Sequence, residues 1–299
     1  MAFCATPNAV IPYFTLADKT IYLGPVPIQW FGILVATGVI IGVNVTRRRA
    51  KKLGYDADKL ESFIWWMLAT AFIFSHVFDV ITYYPETLLT EPWKLFMIWQ
   101  SLSSFGGFLG AILGIFLWKR FRGRGQPIIA FADLIVSVFP IAWIFGRMGC
   151  TVVHDHPGIA ATGPLAFLAI DYPPGNIHNI PAGPHWNLGF LEMLYTIFIS
   201  AVVVSLWRKP RPVGTYIAVA CILYAPIRFV LDFLRTADAL YFGLTPGQYA
   251  SIAMFLFGAW MAVQARRHRF DPTVSSVLAE PEPPAKPATP SRRPRPSRG

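Results

Sequence analysis

Two arginine settings in this 299-residue chain could hold an anion. The first is Gly146-Arg147-Met148-Gly149, at the end of a long apolar run. Glycines on either side of an arginine allow backbone amides to come close to a ligand. The guanidinium itself offers a planar fork that fits a phosphate. The second setting is Tyr224, Arg228, Asp232 and Arg235, spaced four, four and three apart. That spacing places all four on one stripe of a helix. Asp232 can pair with Arg228 or Arg235 but not fully with both, so the stripe retains one net positive charge. The alternative for these arginines is a self-neutralising helix face, with structural ion pairs or snorkelling side chains.

Candidate proton carriers lie just beyond Arg147. His154 and His156 flank Asp155 and could serve as bases; the competing reading is a solvated loop tip. His76 and Asp79 share a helix face and read as a buried hydrogen-bonded pair rather than as catalytic groups. His178 and His185 fall in a loop where the sequence assigns them no role. No spacing specifies a metal site, and neither a metal nor a cofactor is expected. Cys150 reads as a small packing residue before it reads as a nucleophile, and Cys221 as an apolar packer.

These residues need elements to carry them, and the composition says of what kind. Hydrophobic residues make up 54% of the chain and charged residues 14%; mean hydropathy is +0.47. Soluble domains carry roughly 25% charged residues, so a soluble globule and a disordered chain are both excluded. Three cysteines exclude a disulfide scaffold. The expected class is an all-α polytopic membrane protein. Seven apolar segments, at about 27–45, 62–82, 98–118, 127–147, 188–207, 213–234 and 247–265, approach the ~20 residues that cross a bilayer as a helix. The runs are continuously apolar, against a β-barrel. No cationic region followed by a small-residue cleavage site is seen in the first 26 residues.

Of 26 Lys and Arg, 21 fall after spans one, three, five and seven. The positive-inside rule makes that side cytoplasmic, with the N-terminus outside and the C-terminus inside. The net charge of +10 is therefore topogenic, and nucleic acid is not an expected partner. Arg147, Arg228 and Arg235 are the exceptions, at the outer ends of apolar spans. Ionisable groups at such depth point to function. The expected organisation is an outer segment 1–26, a seven-helix domain 27–265 with an outer loop 148–187, and a disordered basic, Pro-rich cytoplasmic tail 266–299.

Several motifs together resemble the prolipoprotein diacylglyceryl transferases of bacteria, over most of residues 20–265. Ile28-Gln29-Trp30-Phe31-Gly32 looks like the start of that family's first helix. Ser104-Phe105-Gly106-Gly107 lies where the family has a His-Gly-Gly motif. Asp133 precedes Gly146-Arg147-Met148-Gly149 at the family's interval, and Asp155 and Gly158 take the Glu and last Gly of its G-R-x-G-N-F-x-N-x-E-x-x-G signature. Tyr224, Arg228, Asp232 and Arg235 match its Y-x-x-x-R-F-x-x-E-x-x-R block, and Gly247-Gln248 resembles the opening of its last helix. The chain departs from the pattern at Phe105 for histidine, at Cys150 and Val153 for two asparagines, at Phe31 for tyrosine, and around Ser75-His76 for an arginine-glycine pair.

The resemblance implies transfer of diacylglyceryl from phosphatidylglycerol to the lipobox cysteine thiol of a preprolipoprotein, with glycerol-1-phosphate leaving. It implies a bacterial inner-membrane enzyme whose site faces the periplasm. Arg147 and Arg228 are then expected to stabilise the leaving phosphate, with Asp155, His154 and His156 as the catalytic acid–base set. Gly146, Gly149, Tyr224, Arg235, Gly106 and Gly107 complete the expected lipid-binding set. Phosphatidylglycerol, the lipobox peptide and the bilayer are the expected partners. The alternatives are a non-catalytic anionic-phospholipid binder that kept the arginines, or a small transporter. A transporter would more often show two related halves.

Overall fold

The computed structural model describes residues 10–16, 19–23, 26–97, 102–236 and 240–271. Long apolar helices dominate: α1 (Trp30–Lys52), α2 (Ala57–Tyr83), α4 (Ser104–Phe121), α7 (Leu188–Ser205), α8 (Thr215–Leu231) and α9 (Pro246–Arg266). A short α3 (Pro85–Thr90) follows α2. The fourth expected span is a broken one, made of α5 (Ile128–Val136) and α6 (Phe139–Val153), bent by 53°. Pro140 in the first turn of α6 explains the break, because it has no N–H to give and its ring crowds the preceding turn. Ser137 bridges the gap, donating to the Leu134 carbonyl at 2.6 Å and accepting from Arg49 Nε at 2.9 Å.

Trp30–Lys52, Ala57–Thr82, Leu188–Arg208 and Thr215–Leu234 are each long and apolar enough to cross a membrane, and the bent pair would make a fifth. α4 and α9 fall on the two remaining expected segments but are not among the helices that meet this measure. The expected boundaries move in two places. α1 runs on to Lys52, so Arg47, Arg49 and Lys51 sit on its last turns rather than in a loop. α6 runs on to Val153, so Gly146–Cys150 lies inside a helix.

Helix contacts explain several glycines. Gly106, Gly110 and Gly114 form a ridge of α4 against α2, where added Cβ atoms would come within 2.9 Å of Phe74, Ala71 and Met67 respectively, or nearer. Small residues at such spacing let helix backbones approach in a membrane. Cys221 meets α9 at Gly258 in the same way.

The fold is not purely helical. The expected loop 148–187 holds β4 (Pro157–Ala160), β5 (Ile170–Tyr172) and β6 (Gly183–Asn187). β1 (Ile11–Pro12) joins them in a sheet of order β1-β5-β6-β4, parallel to β5. A separate hairpin pairs β2 (Ile21–Leu23) with β3 (Val26–Ile28). Strands of two to five residues are too short to give an alternating signal. Of the expected tail, 267–271 folds back, with Asp271 Oδ1 accepting from the Val213 amide at 2.8 Å; residues 272–299 lie outside the described residues, as does Cys4.

Candidate functional site

Three helices deliver the charged groups to one place. α6 carries Arg147, α7 carries Glu192, and α8 carries Tyr224 and Arg228. A single 3-10 turn after α8, Asp232–Leu234, carries Asp232 and leads to Arg235. The centre is Glu192, whose side chain is 2% exposed. Its Oε2 lies 2.7 Å from Arg147 Nε and its Oε1 lies 2.7 Å from Arg228 Nη1. The first contact is an ion pair without the alignment of a hydrogen bond. Tyr224 donates to Glu192 Oε2 at 3.1 Å and accepts from Arg147 Nη2 at 3.3 Å. The Arg147 guanidinium also lies 4.7 Å from the Trp143 ring centre, a cation–π distance.

The chain of charge continues past the end of α8. Arg228 Nη2 is 2.9 Å from Asp232 Oδ1, and Arg235 Nη1 is 3.8 Å from the same oxygen. Thr245 donates its hydroxyl to Asp232 Oδ2 and caps α9 with Gln248. Gly247 lies against that carboxylate; a Cβ there would be 2.5 Å from Oδ2. Arg147 and Arg228 thus share one buried carboxylate, and Arg228 and Arg235 share a second.

Other expected site residues have different surroundings. The Gly146 and Gly149 amides belong to a continuous helix, so they do not form an open anion-binding loop. Gly149 instead lets α6 approach α1, since a Cβ would be 2.8 Å from the Phe31 ring. Gly106 is a contact with α2, and Gly107 makes ordinary contact with Ser75. The Phe105 side chain lies outside the described residues. Gly158 pairs across a bridge with Arg235, where a Cβ would meet the Leu234 carbonyl oxygen at 2.8 Å. The four-stranded sheet is thereby fastened to the turn that bears Arg235.

His154 corrects the expectation of a solvated loop tip. It caps α6 in a left-handed conformation (φ 50°) and is 1% exposed. Its Nδ1 lies 2.7 Å from the Tyr172 hydroxyl and 3.1 Å from Asn187 Nδ2, and its Nε2 lies 2.5 Å from the Phe14 carbonyl oxygen. Burial pushes the Tyr172 phenol up to about 12, so it remains a donor. The neutral imidazole then accepts at Nδ1 and donates from Nε2, an assignment made from the network. Burial lowers the His154 pKa, and the nearby His178 lowers it further, against the opposing hydrogen bond from Phe14. His156 and Asp155 remain more open, paired at 3.1 Å; that hydrogen bond holds the Asp155 carboxyl below the usual carboxylate range. His76, also buried, faces the Lys94 carbonyl oxygen at 3.0 Å, far along the chain from this cluster. Among the described residues, no group of three or more His, Cys, Asp or Glu could hold a metal ion.

Glu192 was absent from the expected set, although a signal existed. It is an acid within the apolar run 188–207, and the rule that singled out the arginines applies to it equally.

Known sequences resemble this chain over most of its length. Phosphatidylglycerol–prolipoprotein diacylglyceryl transferase of Mannheimia succiniciproducens is 28% identical over 265 residues, covering 86% of this chain and 96% of that protein. The enzyme of the same name from Azospirillum brasilense is 29% identical over 255 residues, covering 82% and 92%. That from Klebsiella pneumoniae is 27% identical over 288 residues, covering 88% and 98%. Residues 19–264 match the profile of the prolipoprotein diacylglyceryl transferases, and the chain belongs to that family.

Proposed function

We propose that this protein transfers the diacylglyceryl group of phosphatidylglycerol to the lipobox cysteine thiol of a prolipoprotein. In this reaction the thiol sulfur attacks the glyceryl carbon bearing the phosphate ester. The C–S bond forms, the C–O bond breaks, glycerol-1-phosphate leaves and the thiol proton goes to a base. The observation that carries the reading is the convergence of Arg147 and Arg228 on Glu192. Two guanidiniums from different helices are held ready on one buried carboxylate. Such preorganised cations stabilise a leaving phosphate at little reorganisation cost.

Acid–base work falls to Asp155 and His156 in this reading, because both ring nitrogens of His154 face protein groups. Gly149, Gly106 and Gly158 act by letting elements approach, and Tyr224 by orienting Arg147 and Glu192.

Seven crossings, with the site at the periplasmic end of an inner-membrane protein, complete the proposal. They are supported by the 21 cations at alternate span ends, and by the sheet that joins the N-terminal strand to the 157–187 segment. The test is complementation of a bacterium depleted of its own transferase, with transfer of radiolabelled glycerol from phosphatidylglycerol to a lipobox peptide. Rescue and transfer are expected. Absence of transfer with retained phosphatidylglycerol binding would establish the non-catalytic binder, the reading favoured by Phe105 in the histidine position.

A further inference from the structure

The opposite end of the bundle holds cations that the reaction does not use. An open surface depression of about 350 Å³ is lined by Phe116, Lys119, Arg120, Arg124 and Gly125, all exposed. The bent pair α5–α6 runs from this end to Arg147, so the depression and the reaction site lie at opposite ends of that pair.

The cations here differ from their neighbours. Arg47 is matched by Asp58 at 3.3 Å and Glu61 at 3.2 Å, and Lys59 by Asp56 at 3.1 Å. Arg49 donates to Ser137 and Tyr216 and lies over Trp207. Among the described residues, no acidic side chain pairs with Lys119, Arg120 or Arg124, although Arg120 lies 5.7 Å from the Phe121 ring centre.

Their frame is fixed. The amides of Arg122 and Gly123 both donate to the Trp118 carbonyl at 2.8 Å, and Gln126 donates to the Gly123 carbonyl at 3.0 Å. The Trp118 indole is 1% exposed, packed with Phe63 and Phe131, and Gly123 lies so close that a Cβ would overlap the ring. The turn that presents Arg124 is therefore pinned to the bundle.

An apolar track leads into the same depression. Phe108, Ile112 and Phe116 are 58%, 51% and 64% exposed and recur every fourth residue of α4. At 1.5 Å per residue they line about 12 Å of helix. Phe116 belongs to both the track and the depression.

We propose that the basic end of α4 is a binding site for an anionic phospholipid of the leaflet opposite the reaction site. Lys119, Arg120 and Arg124 hold the phosphate, and one acyl chain lies along Phe116, Ile112 and Phe108. A soluble anion would satisfy the cations but leave the apolar track unused, whereas a phospholipid uses both at once. Basic pockets at the cytoplasmic ends of membrane helices take such headgroups. The inference needs the membrane reading but not the transferase reading.

The test uses the full-length protein in phosphatidylcholine vesicles doped with photoactivatable phosphatidic acid or, separately, photoactivatable phosphatidylcholine. Adducts are mapped by mass spectrometry of peptides. Adducts on 104–124 are expected several-fold more often from the anionic probe, falling to the phosphatidylcholine level in a Lys119→Gln, Arg120→Gln, Arg124→Gln variant. Should that variant insert poorly, Phe116→Gln keeps every charge and should shift the adducts away from the track. Equal labelling by the two probes, or unchanged labelling in the charge variant, overturns the proposal. Displacement of the anionic probe by inorganic phosphate at modest ionic strength, but not by sodium chloride at matched strength, would make this a soluble-anion site and overturn the lipid assignment.

Discussion

Glu192 and Arg147 sit 2.7 Å apart on neighbouring helices, and no other carboxylate reaches Arg147 among the described ion pairs. Glu192→Gln keeps the shape and removes the charge. It leaves Arg147 and Arg228 to repel each other. Transfer is expected to fall by ~10²-fold, as for loss of a preorganised electrostatic group. Glu192→Ala is expected to cost stability as well, by roughly 3–5 kcal/mol, because it strips the partner from buried cations. Turnover and thermal melting in detergent check both. A Glu192→Gln protein with ordinary turnover would remove this carboxylate from the site's design.

Arg147→Lys and Arg228→Lys probe the fork itself. A lysine keeps the charge but cannot bridge two acceptors in one plane. Both variants are expected to lose ~10²–10³-fold in rate. Near-normal turnover in Arg147→Lys would sink the phosphate-clamp assignment.

The buried imidazole predicts a pH effect on stability. The pKa of His154 is lowered in the folded state, chiefly by burial. Its contribution is then fully present above the unfolded value of ~6.5 and is lost as pH falls through the depressed folded value. The melting temperature should therefore drop on acidification below neutrality. His154→Gln, which can still donate to Phe14 and accept from Asn187, should flatten part of that drop. His178, also lowered by burial, contributes in the same direction. Transfer by His154→Gln at pH 7 should stay near that of the parent protein. A large loss of turnover with unchanged melting would return His154 to the chemistry.

Gly247→Ala tests the far end of the charge chain. The new methyl would stand 2.5 Å from Asp232 Oδ2, so the carboxylate must move from Arg228 or from Thr245. A cost of roughly 1–3 kcal/mol in stability, typical of overpacking, and reduced turnover are expected. Gly146→Ala is the control, because nothing crowds that position closer than 3.7 Å.

Orientation is checked by single cysteines in a background without Cys4, Cys150 or Cys221. Ala182→Cys, exposed in the segment before β6, should react with an impermeant reagent added outside intact cells. Arg122→Cys should not. The reverse pattern would invert the protein in the membrane.

The arginines were legible in the sequence because a guanidinium inside an apolar run is rare. Their shared counter-ion was equally rare and lay in plain view at Glu192. The glycines were harder. Gly146 and Gly149 look alike on paper, yet only Gly149 faces another helix, and no spacing says which face of α6 meets Phe31. His154 was misplaced because its partners, Phe14, Tyr172 and Asn187, come from three distant segments. Short strands stayed hidden for the same reason. Their pairing is tertiary, and their length carries no period.

The glycine ridge of α4 has a consequence for how this protein is made. Gly106, Gly110 and Gly114 give α2 a smooth groove and give α4 little grip on anything bulkier. A helix of this kind finds its place only once its partner is already in the bilayer. The chain order supplies that partner, since α2 leaves the ribosome first and α4 follows some twenty residues later. A bulky side chain on the ridge would show first as protein degraded during synthesis, before any defect in the finished molecule could be measured.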